Sequence, residues 1–339
     1  MQMASTESTR LLSPEEIAVR AGQQVPFLRL PERSSVFAER EMRWRQLAAS
    51  HAMRDFLMFM AELARAQQDV LNDYPAIRLP DTTELQNALR IGEPPVPAAH
   101  WPRDAEWRRG WKRLLERLLP RLAGSAAQAT VQSLVGADDD WLEQQADRLL
   151  NGVMLGLDLA AAPLVAAALQ TYWTHLTIAT ELAHRTKRAA PFGRVADATL
   201  CPCCGSRPTA SVVRIGADSS GYRYLHCSLC SAQWHMVRIK CTRCESTKGI
   251  HYQSLRPLDA ETDTRGAKQP VEAETCDECG HYLKIVHMER DPHVDPAADD
   301  IATVTLDLLV SQAGFQRHGV NLMLLFGDPD APRPDGGGG

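Results

Sequence analysis

The first 200 residues of this 339-residue chain contain no cysteine, and all nine cysteines fall between residues 201 and 279. A secreted disulfide scaffold would hardly use them so, which excludes that class. A strong charge of one sign is also missing. The formal net charge of -5 gives no overall attraction for nucleic acid or an anionic membrane. A clean apolar run is missing too. The longest uncharged stretch, Leu159 to Thr180, holds Pro163, Gln170, His175 and several threonines, and reads as a buried amphipathic helix rather than a bilayer span. Glu15 and Glu16 stand where a signal peptide needs an apolar centre, and Arg108-Arg109 is internal with no export segment after it. The expectation is a soluble cytoplasmic protein without stable membrane insertion. A Ser-His-Asp set, a phosphate-binding loop and a GxGxxG motif after a strand are all lacking, so no enzymatic chemistry is expected.

What is there is concentrated. Eight cysteines form four Cys-x-x-Cys pairs: Cys201/Cys204, Cys227/Cys230, Cys241/Cys244 and Cys276/Cys279. Such a turn lets two sulfurs converge on one ion at about 2.3 Å, and two turns close a tetrahedral four-thiolate shell with no open position. Two metal ions in four-cysteine sites are therefore expected. The ninth cysteine, Cys203, lies inside the first pair, where bonding beside Cys204 would strain a chelate, and reads as a spectator. Spacing cannot choose between iron and zinc. Four thiolates on a divalent ion leave a charge of about -2, and Arg207, Arg238, Lys240, Arg243 and Lys284 are near enough in sequence to offset it.

The first 190 residues read as helical. Ser13-Pro14-Glu15-Glu16 starts a short helix, a longer helical stretch runs from Val36 to Leu71, and Tyr74 to Pro80 and Gly92 to Pro102 are linkers. From Asp104 the residues Trp107, Trp111, Leu114, Leu115, Leu118, Leu119 and Leu122 share one helical face, with Arg108, Arg109, Lys112, Arg113, Arg117 and Arg121 around the rest. That pattern fits a packed helix with a solvated basic face; docking of an acidic partner is the alternative. Asp138 to Asp140 cap the next helix, and an Ala/Leu-rich helix pair ends near Arg188. His175, Glu181 and His184 within it read as structural.

After Pro191-Phe192-Gly193 short alternating strands take over: Ala210 to Ile215, Tyr222 to His226 and Gln233 to Ile239, then Gly249 to Leu255, Val271 to Thr275 and Tyr282 to His287. Each set runs knuckle, hairpin, knuckle, strand, which is an internal duplication. The hairpin returns the second knuckle beside the first, so Cys201, Cys204, Cys227 and Cys230 form one site and Cys241, Cys244, Cys276 and Cys279 the other. Pairing the two outer knuckles and the two inner ones is the alternative.

The residues around the knuckles carry a resemblance. Cys201-Pro202-Cys203-Cys204-Gly205-Ser206, Tyr224 to Cys230, Trp234 to Cys244, Cys276 to Lys284, Ala298 to Thr303 and Gly314 to Asn321 with Leu324 to Gly327 resemble the formate dehydrogenase accessory proteins of the FdhE family. Cys203 departs from that pattern. The resemblance implies a cytoplasmic, non-enzymatic maturation factor with rubredoxin-like iron sites, zinc being the alternative. It would bind the catalytic subunit of formate dehydrogenase before export; an electron carrier or a zinc-ribbon nucleic-acid binder are the competing readings. A homodimer stays open. The expected fold is α+β: an all-helical domain over 1–190, tandem rubredoxin-like ribbons over 191–240 and 241–290, a C-terminal helical segment over 291–327 and a disordered tail over 328–339. Asp299, Asp300 and the helix from Arg108 to Arg121 are candidates for the client-binding face.

Overall fold

In the computed structural model the described residues are 25–186, 190–215, 221–255 and 268–324. The expected Ser13–Glu16 helix start and the tail from 328 lie outside them. The helical half contains α1 (Val36–Ala48), α2 (Arg54–Asn72), α3 (Thr82–Ile91), α4 (Glu106–Leu118), α5 (Ala127–Leu134), α6 (Asp139–Asn151) and α7 (Ala162–His184). The single stretch expected from Val36 to Leu71 is thus two helices. His51 fixes the corner between them: its Nδ1 accepts from the Met53 N–H at 3.0 Å, while Nε2 donates to the Ala302 carbonyl at 2.8 Å. A third helix, α3, falls between the two expected linkers. It starts on a reciprocal capping box of Asp81 and Glu84 and ends on Gly92 in the left-handed region.

The apolar face of α4 is buried as its spacing requires, with Trp107, Trp111, Leu114, Leu115 and Leu118 in the core. Asp138 caps α6 by accepting from the Asp140 and Trp141 N–H groups. The stretch read as an amphipathic helix is buried on every side instead. From Ala162 to Thr180 nearly all of α7 is hidden, because α2, α4 and α6 all pack on it. No helix among the described residues is long and apolar enough to cross a membrane.

The second half is built on β2 (Pro208–Val213), β3 (Arg223–Cys227), β4 (Gln233–His235), β5 (Ile250–Gln253), β6 (Val271–Cys276) and β7 (His281–His287). These match the six expected strands in order and place, although the third, expected to reach Ile239, stops at His235, with Ile239 itself left-handed (φ 60°); each set of three is antiparallel. The two sets share one sheet. Strand β2 pairs in parallel with β7, Val212 opposite Val286, so the first strand of one repeat meets the last strand of the other. Two short strands complete it: β1 (Leu28–Arg29) lies on β4, and β8 (Gln316–Arg317) lies on β7 beyond the end of β2.

The expected C-terminal helical segment is two helices, α8 (Pro296–Ala302) and α9 (Val304–Gln312), broken at Thr303. Buried ion pairs lock it in place. Arg43 of α1 reaches Asp299 at 2.6 Å and Asp291 at 2.8 Å, and Arg40 reaches Asp295 at 3.2 Å. Beneath the second repeat, Lys284 contacts Asp307 at 2.5 Å and Asp300 at 3.4 Å, while Arg317 contacts the same two acids at 2.6 and 2.7 Å. Two cations against two anions keep this pocket of charge neutral, which is the condition for burying it.

Candidate metal centres

Each knuckle is a closed turn whose geometry follows from its backbone. The N–H of the leading cysteine bonds the carbonyl five residues on: Cys201 to Ser206 at 3.0 Å, Cys227 to Ala232 at 2.9 Å and Cys241 to Ser246 at 2.8 Å. In the fourth knuckle Cys276 pairs with His281 at the head of the β6–β7 hairpin. The residue after each second cysteine is left-handed: Gly205 (φ 73°), Ser231 (φ 59°), Glu245 (φ 60°) and Gly280 (φ 66°). Glycine supplies that conformation freely, whereas Ser231 and Glu245 adopt it at about 1–2 kcal/mol each. The Gly205 and Gly280 N–H groups bond the carbonyls of Cys201 and Cys276, at 2.8 and 2.9 Å.

The hairpins bring the knuckles together in sequential order. Cys201, Cys204, Cys227 and Cys230 form one cluster and Cys241, Cys244, Cys276 and Cys279 the other, with sulfurs within 4.8 Å of one another in each. The sulfur edges are 3.6 Å for Cys201–Cys230, 3.4 Å for Cys204–Cys227, 3.7 Å for Cys241–Cys279 and 3.7 Å for Cys244–Cys276. A tetrahedron with metal–sulfur bonds of about 2.3 Å has edges of about 3.8 Å. Either cluster could therefore hold one ion with little movement, and its soft donors suit iron or zinc.

Amides face sulfur where a thiolate needs them. Leu229 and Cys230 N–H donate to Cys227 Sγ at 3.4 Å, and Arg243 N–H to Cys241 Sγ at 3.4 Å. In the first cluster burial pushes the Cys201 and Cys227 thiols well up. Burial acts the same way on Cys230, but neighbouring thiols bonded to it hold it well below the usual range. In the second, burial pushes Cys279 up to about 12, while the Ser246 amide and the other thiols outweigh the slight burial of Cys244 and hold it low. An ion entering either site displaces these protons.

Cys203 is fully buried beside the first cluster and outside its quartet. Its carbonyl accepts from the Val96 N–H at 3.1 Å, and that of Cys204 from Ala98 at 2.8 Å, so the helical half is hydrogen-bonded directly to the first knuckle. Gln170 of α7 adds a third tie, donating to the Ser228 carbonyl at 2.8 Å. The sequence carried one signal for these contacts, a lone glutamine in a long uncharged run.

The candidate charge-balancing residues divide. Arg243 sits at the second cluster, where it hydrogen-bonds His281 at 2.7 Å. Lys240 pairs with Glu245 beside the same knuckle. Lys284 belongs to the buried Asp300–Asp307 network and faces no thiolate contact. Asp299 and Asp300 are buried at 1% and 2% exposure, which removes both from any client-binding face. The six cations of α4 and its following turn all have acidic partners, including Glu143 for Arg108 at 2.8 Å and Asp69 for Arg121 at 2.9 Å. His175 is structural: buried, stacked on Tyr74 at 4.6 Å and hydrogen-bonded by Arg33 at 2.8 Å.

Comparison with known proteins matches this layout along the chain. The family descriptions "FdhE, N-terminal", "FdhE, central domain" and "FdhE, C-terminal domain" match residues 25–190, 200–238 and 239–324. Protein FdhE of Salmonella arizonae is 36% identical over 324 residues, 95% of this chain and 99% of its own. The chain belongs to the FdhE family. The FdhE homolog of Cronobacter sakazakii is 36% identical over 91% of this chain and 94% of its own. The crystal structure of the FdhE protein from Pseudomonas aeruginosa superposes with a TM-score of 0.73 at 36% identity, covering 89% of this chain and all of that one.

Proposed function

We propose that this FdhE-family chain is a cytoplasmic, non-catalytic maturation factor for respiratory formate dehydrogenase, binding the catalytic subunit before export. In this reading the eight knuckle cysteines are the ligands of two metal ions, iron first and zinc as the alternative. The helical region up to residue 190 and the two ribbons, 191–240 and 241–290, together form the client-binding body. One observation carries the reading: two quartets of cysteine sulfurs, each within 4.8 Å of one another and with two edges of 3.4 to 3.7 Å apiece, in a chain of this family over its length. A closed four-thiolate shell leaves no open position for a substrate on the ion.

The direct test is affinity purification of the tagged chain from cells producing the dehydrogenase, paired with deletion of its gene. Co-purification of the catalytic subunit and loss of formate-dependent respiration are expected. A deletion strain that respires on formate normally, with no subunit captured, refutes it. Metal content and the optical spectrum of anaerobically purified protein decide the ion, since ferric thiolate sites are coloured and zinc is silent.

A further inference from the structure

The two clusters have the same chemistry and opposite surroundings. Cys201, Cys204, Cys227 and Cys230 are each at most 1% exposed and lie in the main apolar core with Leu225, Leu229, Ala232 and Trp234. The helical half closes over them through the Val96, Ala98 and Gln170 hydrogen bonds. In the second cluster Cys241 and Cys276 are buried, Cys279 is half-buried and Cys244 is exposed. None of these four belongs to an apolar core cluster among the described residues, and Arg243, Glu245, Asp277 and Glu278 beside them are all exposed.

Ligand exchange at a four-thiolate ion needs an incoming donor to reach the metal and a proton to reach the departing sulfur. At the inner quartet both require the helical half to lift from the knuckle, a local opening. At the outer quartet neither does. We infer that the quartets divide their roles: the inner one holds its ion as a permanent part of the core, and the outer one is an exchange site for soft thiolate ligands. The inference rests on the reading that both quartets bind metal. In the exchange step an incoming thiolate forms a metal–sulfur bond as the bond to Cys244 Sγ breaks, and that sulfur takes a proton from solvent. No electron changes hands.

The test uses the full chain loaded anaerobically with zinc, with its metal content counted first. Glutathione is added in excess with a chromogenic zinc chelator, and samples are quenched with iodoacetamide and mapped by mass spectrometry. One equivalent should leave at least about 100-fold faster than the other, the equivalent of an opening of about 2.8 kcal/mol at 1.4 kcal/mol per tenfold. Label should appear first on Cys244, then on Cys241, Cys276 and Cys279, with the inner four cysteines protected until the slow phase. Cys244→Ser should lose the fast equivalent and keep the slow phase at its original rate. Release of both equivalents at one rate, or early labelling of the inner cysteines, overturns the division while leaving two metal sites. A chain that takes up fewer than two ions with all eight thiols reduced overturns the metal reading itself, and this inference with it.

Discussion

Removing the Arg43 side chain, as in Arg43→Met, should destabilise the protein far more than its single charge suggests. Arg43 gives Asp299 two hydrogen bonds, Nε to Oδ2 at 2.9 Å and a terminal nitrogen to Oδ1 at 2.6 Å, and Asp299 is 1% exposed. Burial already pushes the Asp299 carboxyl up to about 6 against Arg43's pull. Relative to an unfolded value of about 3.9, holding it ionised at pH 7 costs about 3 kcal/mol at 1.36 kcal/mol per unit. Without Arg43 the carboxyl is left buried and unpaired, a change worth about 3–5 kcal/mol, against a total stability of about 5–15 kcal/mol. Adding Asp299→Asn removes the charge and keeps an oxygen to accept the Asp295 N–H, now bound at 2.8 Å. Most of the loss should return. Urea unfolding of the four members of the cycle, followed by tryptophan fluorescence, gives the coupling energy directly. A loss below about 1 kcal/mol in Arg43→Met, or strictly additive effects in the double variant, refutes the argument.

Three further outcomes are expected. Cys227→Ser removes a sulfur that accepts two amides and completes the inner quartet; metal content should fall from two ions towards one, and limited proteolysis should open residues within 200–238, an outcome contradicted by unchanged metal and cleavage. Burial, with Arg33 second, lowers His175 to about 4, so its neutral form contributes stability in full above about 6.5 that is lost as pH falls towards 4, about 3 kcal/mol in all; His175→Asn should flatten the fall in the urea midpoint across that window, and an identical pH dependence would dismiss the role. A Cβ on Gly319 would lie 2.5 Å from the Thr209 carbonyl oxygen and 2.8 Å from Leu283 Cδ1. Gly319→Ala should therefore cost about 1–3 kcal/mol, read as a lower melting temperature, and an unchanged one would show that the strap between β8 and β2 has room to move.

Local signals read correctly wherever the deciding contacts were local. The α4 face followed from Trp107, Trp111 and Leu114 at helical spacing, and Asp138 capped α6 through its own neighbours. The six strands followed from alternation, and knuckle pairing from hairpins that return the chain within about thirty residues. Readings failed where a distant segment intervened. His51 bends Val36–Leu71 by bonding Ala302, and α7 is buried all round because three helices from elsewhere surround it. Asp299 and Asp300, candidates for a client-binding face by sequence, are instead buried against Arg43, 256 positions away, and Arg317, 17 positions away.

By itself the sequence determined the eight sulfurs, their grouping in fours, the duplicated ribbon and the family resemblance, since each depends on chemistry and spacing within a short span. The parallel pairing of β2 with β7 and the closure of the helical half over the first knuckle were decided only by tertiary structure. So was the difference between the two quartets. Their Cys-x-x-Cys spacing is identical, and exposure is a property of what packs against a site, which no spacing of cysteines encodes.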